Sequence, residues 1–141
     1  PAKDEMFFAE KGTGAWMNEG RLRVSGRSRM IESVFATGLP FGGRGDLPDT
    51  LRDLGRILPV CAGVRRWGSA ALDLAYVAAG RYDGYWERRL NKWDLAAGML
   101  IVREAGGMVE PLNPEGNILD DGEIVCANEA LFSGFSKIAR G

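Results

Sequence analysis

The stretch from Arg65 to Gly107, RRWGSAALDLAYVAAGRYDGYWERRLNKWDLAAGMLIVREAGG, constrains the fold more than any other part of this chain. It reads as helix, strand, helix, with a turn signal at each junction. Ser69 precedes Ala70, Ala71, Leu72, Leu74, Ala75 and Val77, an N-cap hydroxyl followed by good helix formers. Gly80 stops that helix where a left-handed residue is wanted. Tyr82 to Trp86 is aromatic and strand-like. Asp94 then opens a second helix, Leu95 to Ala105, closed by Gly106 and Gly107. Leu95, Ala97, Met99, Leu100, Ile101 and Val102 make it apolar on nearly every face, which predicts burial. A carboxylate at the start of a buried helix sits at the positive end of the helix dipole, where ionisation is favoured. Asp94 is therefore the first candidate for chemistry.

The flanks supply the rest of a layered α/β architecture. Met6–Phe8, Ala15–Met17 and Leu22–Val24 alternate around the turns Lys11-Gly12-Thr13-Gly14 and Asn18-Glu19-Gly20, the pattern of a β-meander. The Gly-Thr-Gly there lacks the following Lys-Ser/Thr and helix of a phosphate loop, so it reads as a plain turn. Residues 25–30 form a polar linker. Ser33–Thr37 reads as a strand, and residues 38–45 as a Gly-rich loop at its carboxyl end. A helix follows from about Pro48 to Pro59, then a strand at Val60–Val64. After Gly107 come a strand at Met108–Val109, a turn at Asn113–Gly116 and a strand at Ile124–Ala127. Asn128 caps a final amphipathic helix carrying Leu131, Phe132, Phe135 and Ile138. Strands alternating with helices of this length predict a mixed, largely parallel sheet with helices on both faces. Ligands of such sheets gather beyond the carboxyl ends of the strands, where Gly68-Ser69 and Asp94 both fall.

Composition removes several function classes. The formal net charge of −1 gives no global basic field for nucleic acid. No run reaches transmembrane length. Histidine is absent, which excludes Ser–His and Cys–His catalysis and leaves carboxylates and metal. Cys61 and Cys126 sit in apolar runs and read as buried free thiols of a reducing, cytoplasmic setting, with a disulfide as the minor alternative.

Each candidate residue has a plain structural reading beside the chemical one. Asp94 is either a helix cap, a cation ligand, or both through its two oxygens. Gly68-Ser69-Ala70 is either a capped helix start or a set of backbone N–H groups open to a hydroxyl or anion. Glu87, at the end of YDGYWE, is either solvated or a substrate-orienting carboxylate. Asp73 reads as packed with an arginine. Trp67 and Trp93 read as packing residues that hold the loops around them, and the role of Arg65 and Arg66 stays open.

WDLAAGMLIVREAGG resembles the C-terminal signature of the inositol monophosphatase family, and RRWGSAALDLAYVAAGRYDGYWE is similar to the segment preceding it there. FATGLPF and RRWGSAALDLAYVAAG look most like the bacterial extragenic-suppressor (SuhB-type) branch. The resemblance covers essentially the whole chain. The family's upstream Glu–Glu pair and its Asp-Pro-Ile/Leu-Asp-Gly-Thr motif have no counterpart among these residues. The resemblance therefore implies the C-terminal half of the family's αβαβα sandwich: residues 1–24 as a β-meander belonging to the other half, and residues 25–141 as the C-terminal α/β domain. It implies Mg²⁺-dependent hydrolysis of a phosphate monoester, inositol monophosphate first, in a cytoplasmic homodimer. Asp94 matches a magnesium ligand, and Gly68, Ser69, Ala70 and Glu87 match substrate contacts. Ser69 stands where the family often has threonine, which keeps the hydroxyl, and Arg88-Arg89-Leu90-Asn91-Lys92 is more basic than the family's usual wording. Relatives that hydrolyse fructose bisphosphate or nucleoside bisphosphates are the alternative enzymes. An association with RNA or the transcription machinery, known for that bacterial branch, is the non-enzymatic alternative. Separated from the rest of its sheet, the meander is expected to leave an apolar face uncovered and to favour a second copy.

Overall fold

A computed structural model of the chain describes residues 1–40, 42 and 46–141. The expected Gly-rich loop at 38–45 lies partly outside the described residues. The elements form four layers: a small antiparallel sheet, two central helices, a five-stranded mixed sheet, and two outer helices.

The first layer is the meander, β1 (Phe7–Glu10), β2 (Gly14–Met17) and β3 (Gly20–Arg21), paired in that order. Its apolar side is not left open as the sequence reading expected. Phe7, Ala9, Ala15 and Met17 face the chain's own core, while Met6, Phe8 and Trp16, the cross-strand partner of Phe8, lie on the other side. The period-2 alternation of a strand makes this division. The Gly-Thr-Gly turn is indeed not a phosphate loop. The N–H groups of Gly12 and Gly14 donate to the Glu104 carboxylate at 2.9 and 3.0 Å, so the turn's donors hold a side chain of a central helix.

The larger sheet takes the order β5-β4-β6-β8-β7, with β4 at Val34–Thr37, β5 at Gly63–Arg65, β6 at Gly84–Glu87, β7 at Met108–Glu110 and β8 at Ile124–Ala127. β4 pairs in parallel with β5 and β6, while β8 runs antiparallel between β6 and β7. The mixed sheet is thus as expected, with two parallel and two antiparallel pairings. β5 starts later than the apolar run suggested, because Pro59 sits inside a 3₁₀ turn, Leu58–Val60, that extends the preceding helix. That helix, α1 (Leu47–Ile57), is capped by Asp46, and it packs with α5 (Glu129–Arg140) on one face of the sheet. There Phe135 stacks on Phe35 with ring centroids 4.1 Å apart and meets Trp86 edge-on.

The other face carries α2 (Ala70–Ala78) and α3 (Lys92–Glu104), which lie between the two sheets. Ser69 caps α2, and Gly80 follows it at φ 70°, both as the sequence predicts. α3 crosses α2 closely because Gly98 has no side chain: a Cβ there would fall 2.5 Å from Leu74 Cδ1. The polar linker is held by Asp83, which accepts from Ser25 Oγ at 2.6 Å and from the Val34 N–H at 2.7 Å and pairs with Arg27. A short helix, α4 (Ile118–Asp121), completes the elements. Cys61 and Cys126 are free and buried, and burial pushes the Cys126 thiol up to about 12. Among the described residues, no helix is long and apolar enough to cross a membrane.

Candidate functional site

β4 and β6 run in parallel, so their carboxyl ends lie side by side: Thr37 pairs with Trp86, and the next residues on each strand are Gly38 and Glu87. The Thr37 hydroxyl closes this edge by donating to the Trp86 carbonyl at 2.7 Å. The N-termini of α2 and α3 open onto the same edge. Between them lies a cavity of about 470 Å³, and all five candidates, Gly68, Ser69, Ala70, Glu87 and Asp94, line it.

Asp94 does not open its helix. α3 begins at Lys92 with Asn91 as N-cap, and Asp94 is the third helical residue. Its Oδ2 accepts from the Asn91 N–H at 3.1 Å, and its own N–H donates to the Asn91 carbonyl at 3.0 Å. This is the capping-box relation, and it keeps the carboxylate at the positive end of α3. One oxygen anchors the helix start while the other is left for the cavity. The expectation that α3 is buried all round also changes. Leu95, Gly98, Met99, Ile101 and Val102 are buried, whereas Trp93 is 79% exposed. Trp67 is half exposed but does rest against Tyr76, with ring centroids 5.7 Å apart and Lys3 over its ring.

Glu87 is held rather than solvated. The Tyr85 hydroxyl donates to its Oε2, and Gly38 forms its other wall: a Cβ at Gly38 would fall 1.8 Å from Glu87 Oε1. Burial raises the Glu87 carboxyl above its ordinary value, and the charge of Asp94 adds to this, while the Tyr85 hydrogen bond opposes it. Gly38→Ala should therefore displace the Glu87 carboxyl and break its bond with the buried Tyr85 hydroxyl, at a cost to stability of about 1–3 kcal/mol. The expected result, for a substrate held by Glu87, is a KM raised about 10-fold with kcat changed less; the check is steady-state kinetics beside a thermal melt.

The remaining wall was not anticipated from the sequence. Asp46 and Asp53 reach the cavity from α1 and are already paired, Asp46 with Arg89 at 3.3 Å and Asp53 with Arg88 at 3.0 Å. Arg66, whose role the sequence left open, lines the cavity as well. Asp73 is the largest departure. It is 1% exposed, and its Oδ1 has no hydrogen-bond partner among the described residues, so the expected packing with an arginine does not satisfy it there. Burial pushes its carboxyl up to about 7, the charge of Glu87 adds to that, and Arg66 opposes it.

Asp73, Glu87 and Asp94 border the cavity together with Arg66, Arg88 and Arg89, and a cation that offsets the carboxylates would favour a phosphate there. Mg²⁺ binds through one or two carboxylates, with phosphate and water completing its shell. The remaining oxygen of Asp94 fits one such ligand. Among the described residues, no group of three or more acidic, cysteine or histidine side chains is placed to hold a metal by itself.

The model of the inositol monophosphatase family matches residues 1–140. An inositol-1-monophosphatase of Mesorhizobium japonicum is 50% identical over 131 residues, which is 93% of this chain and 49% of that protein. A Nus factor SuhB of Pseudomonas aeruginosa is 45% identical over 134 residues, covering 94% of this chain and 49% of that one. The crystal structure of an extragenic suppressor protein suhB from Bartonella henselae superposes with a TM-score of 0.92 at 43% identity, over 98% of this chain and 54% of that chain. The chain spans about half the length of the curated relatives it matches.

Proposed function

The chain belongs to the inositol monophosphatase family, and from that premise we propose that it is the C-terminal half of a Mg²⁺-dependent phosphatase acting on a phosphate monoester, inositol monophosphate first among the candidates. The observation that carries this reading is the convergence of Asp94, Glu87 and the Gly68–Ala70 helix start on one acid-lined cavity. In this reading residues 1–24 complete a sheet whose other strands lie in the upstream half, and residues 25–141 are the C-terminal α/β domain.

Asp94 would hold the cation through the oxygen not engaged by Asn91. When bound, the cation supplies positive charge against the phosphate oxygens and makes water a better source of nucleophile. The residues of this chain then bind and orient. Glu87, fixed between Tyr85 and Gly38, accepts hydrogen bonds from ring hydroxyls. The small side chains of Gly68, Ser69 and Ala70 let the substrate approach the first turn of α2, where backbone N–H groups are not yet used within the helix.

A single carboxylate is a weak Mg²⁺ site, because several oxygen partners must replace the lost hydration. The 141 residues alone should therefore fold without metal and release no phosphate, while the full-length protein should do so in a Mg²⁺-dependent manner. Phosphate release against Mg²⁺ concentration for both proteins is the test. Turnover of inositol monophosphate by the 141 residues alone would refute the division of labour, and a full-length protein inert toward every phosphate monoester would refute the activity.

The relatives named Nus factor SuhB support a second role, an association with RNA or transcription complexes. The net charge of −1 argues against binding nucleic acid unaided, so salt-dependent RNA binding by the full-length protein separates the two. A cytoplasmic homodimer completes the reading. The outward Phe8 of β1 and Met6 just before it are the apolar surface that favours a second copy.

A further inference from the structure

We propose that Arg88 is a positioning residue: its guanidinium locks the short loop between β6 and α3, and so fixes where Glu87 and Asp94 stand relative to each other. The inference rests on the phosphatase reading above and adds to it a residue that acts through two others. Glu87 is the last residue of β6 and α3 starts at Lys92, so only residues 88–91 join the two elements. That loop is anchored twice. Arg88 donates from Nε and Nη2 to the two oxygens of Asp53, at 3.0 and 3.4 Å, and from Nη1 to Glu123 at 3.3 Å. Two residues on, the Leu90 N–H donates to the Gly122 carbonyl at 2.9 Å, and a Cβ at Gly122 would fall 2.2 Å from the Leu90 carbonyl oxygen. Between these anchors Arg89 has a φ of 61°, a left-handed conformation that a residue with a side chain keeps only where its surroundings impose it.

Each of the three guanidinium nitrogens of Arg88 is engaged by a carboxylate of the protein itself, which suits a clamp better than a ligand for substrate. Its main partner is fixed in turn. Asp53 lies on the buried side of α1 with Ile57, one turn on, and its side chain is 4% exposed. A bidentate fork onto so rigid a carboxylate sets both the place and the orientation of the arginine. The residue before Arg88 is Glu87, and the residue that caps the helix of Asp94 is Asn91, three further along. The clamp therefore governs both carboxylates through a few bonds of backbone. A shift of about 1 Å in such groups is enough to cost on the order of 100-fold in rate.

The test uses the full-length protein with Mg²⁺ and inositol monophosphate. Arg88→Lys keeps the positive charge beside Asp53 but not the fork. It should raise KM and the Mg²⁺ concentration for half-maximal activity about 10-fold each, with the thermal midpoint nearly unchanged. The paired replacement Asp53→Leu with Arg88→Met removes the clamp without leaving a charge buried alone, so it should melt close to wild type and show the same two increases. Should that pair fail to fold, Arg88→Lys carries the test. A second readout needs no activity: the loop offers trypsin Arg89, and cleavage there should be about 10-fold faster in both variants than in wild type. Variants with unaltered KM, Mg²⁺ dependence and cleavage would overturn the positioning role and leave the phosphatase reading standing. Activity lost only in step with a lowered midpoint, with KM unmoved, would overturn it too. A wild type that releases no phosphate from any monoester removes the phosphatase reading and this inference together.

Discussion

Asp94→Asn should lower phosphate release by the full-length protein on the order of 100-fold or more, while its unfolding midpoint stays nearly where it was. The two halves of this result come from the two oxygens of one side chain. The asparagine carbonyl can still accept from the Asn91 N–H, so the start of α3 keeps its capping bond. Losing a negative charge near the helix N-terminus costs about 0.3–1 kcal/mol. Relief of the repulsion from Glu87, whose carboxyl Asp94 raises, offsets part of that. What the amide cannot replace is the charge that draws a divalent cation, so the Mg²⁺ concentration for half-maximal activity should rise as well. Glu87→Gln is the contrast: it should weaken substrate recognition and leave the Mg²⁺ dependence nearly unaltered. Denaturant melts and Mg²⁺ titrations of the two variants decide the matter. An Asp94→Asn protein with full activity would remove this residue from the metal.

The second large effect is on stability and its pH dependence. The Asp73 carboxyl stands at about 7 in the folded chain against 3.8 for the unperturbed group. A carboxyl raised by folding binds its proton more tightly in the native state. Its favourable state is thus complete below the unfolded value and is lost as pH climbs through 4 towards 7. Asp73→Asn does not titrate, so the stability difference between wild type and variant isolates this group from every other carboxylate. Relative to the variant, the wild type should lose stability by roughly 1.4 kcal/mol per pH unit across that window, about 4 kcal/mol in all. The measurement is urea unfolding at pH 4, 5.5, 7 and 8. Glu87, Tyr82, Tyr85 and Cys126 share electrostatic coupling with Asp73, as does Arg66, so variants at Glu87 should shift the same window to lower pH. A difference that does not change with pH would mean that Asp73 is ionised in the folded chain throughout.

Much of this architecture is legible one residue at a time. Ser69 and Gly80 bracket α2 because capping is a local property, settled within one turn by the residues themselves. The strand at Ile124–Ala127 and the helix after Asn128 have the same character. Glu87 and the Gly68–Ala70 helix start reach one cavity because parallel strands deliver their carboxyl ends to one edge. The start of α3 was misread for a local reason too. Asn91 and Asp94 stand at the spacing of a capping box, but the basic and aromatic residues between them read as loop. Asp73 and Trp93 could not be read locally at all. An aspartate in a helix is by default solvated or paired, and a tryptophan beside a functional residue is by default packed. Only the tertiary arrangement turns the first inward, with an Oδ1 unpaired among the described residues, and leaves the second in solvent. The meander was misjudged in the same way, since no pattern within residues 4–24 says that α2 and α3 will cover it.

The order β5-β4-β6-β8-β7 has a consequence for how such a chain comes off the ribosome. β6 carries Glu87 at its tip and has β4 on one side as soon as it is made, yet its other neighbour is β8, at Ile124–Ala127. Until those late residues emerge, the centre of the sheet is an open edge with unpaired backbone groups. Pairing across such sequence separations is slow because the loop must close before any contact rewards it. A nascent chain halted before Ile124 should therefore stay vulnerable to protease and to sticking, and become resistant in one step once β8 zips onto β6. Vectorial synthesis leaves the wall that holds Glu87 to be completed last.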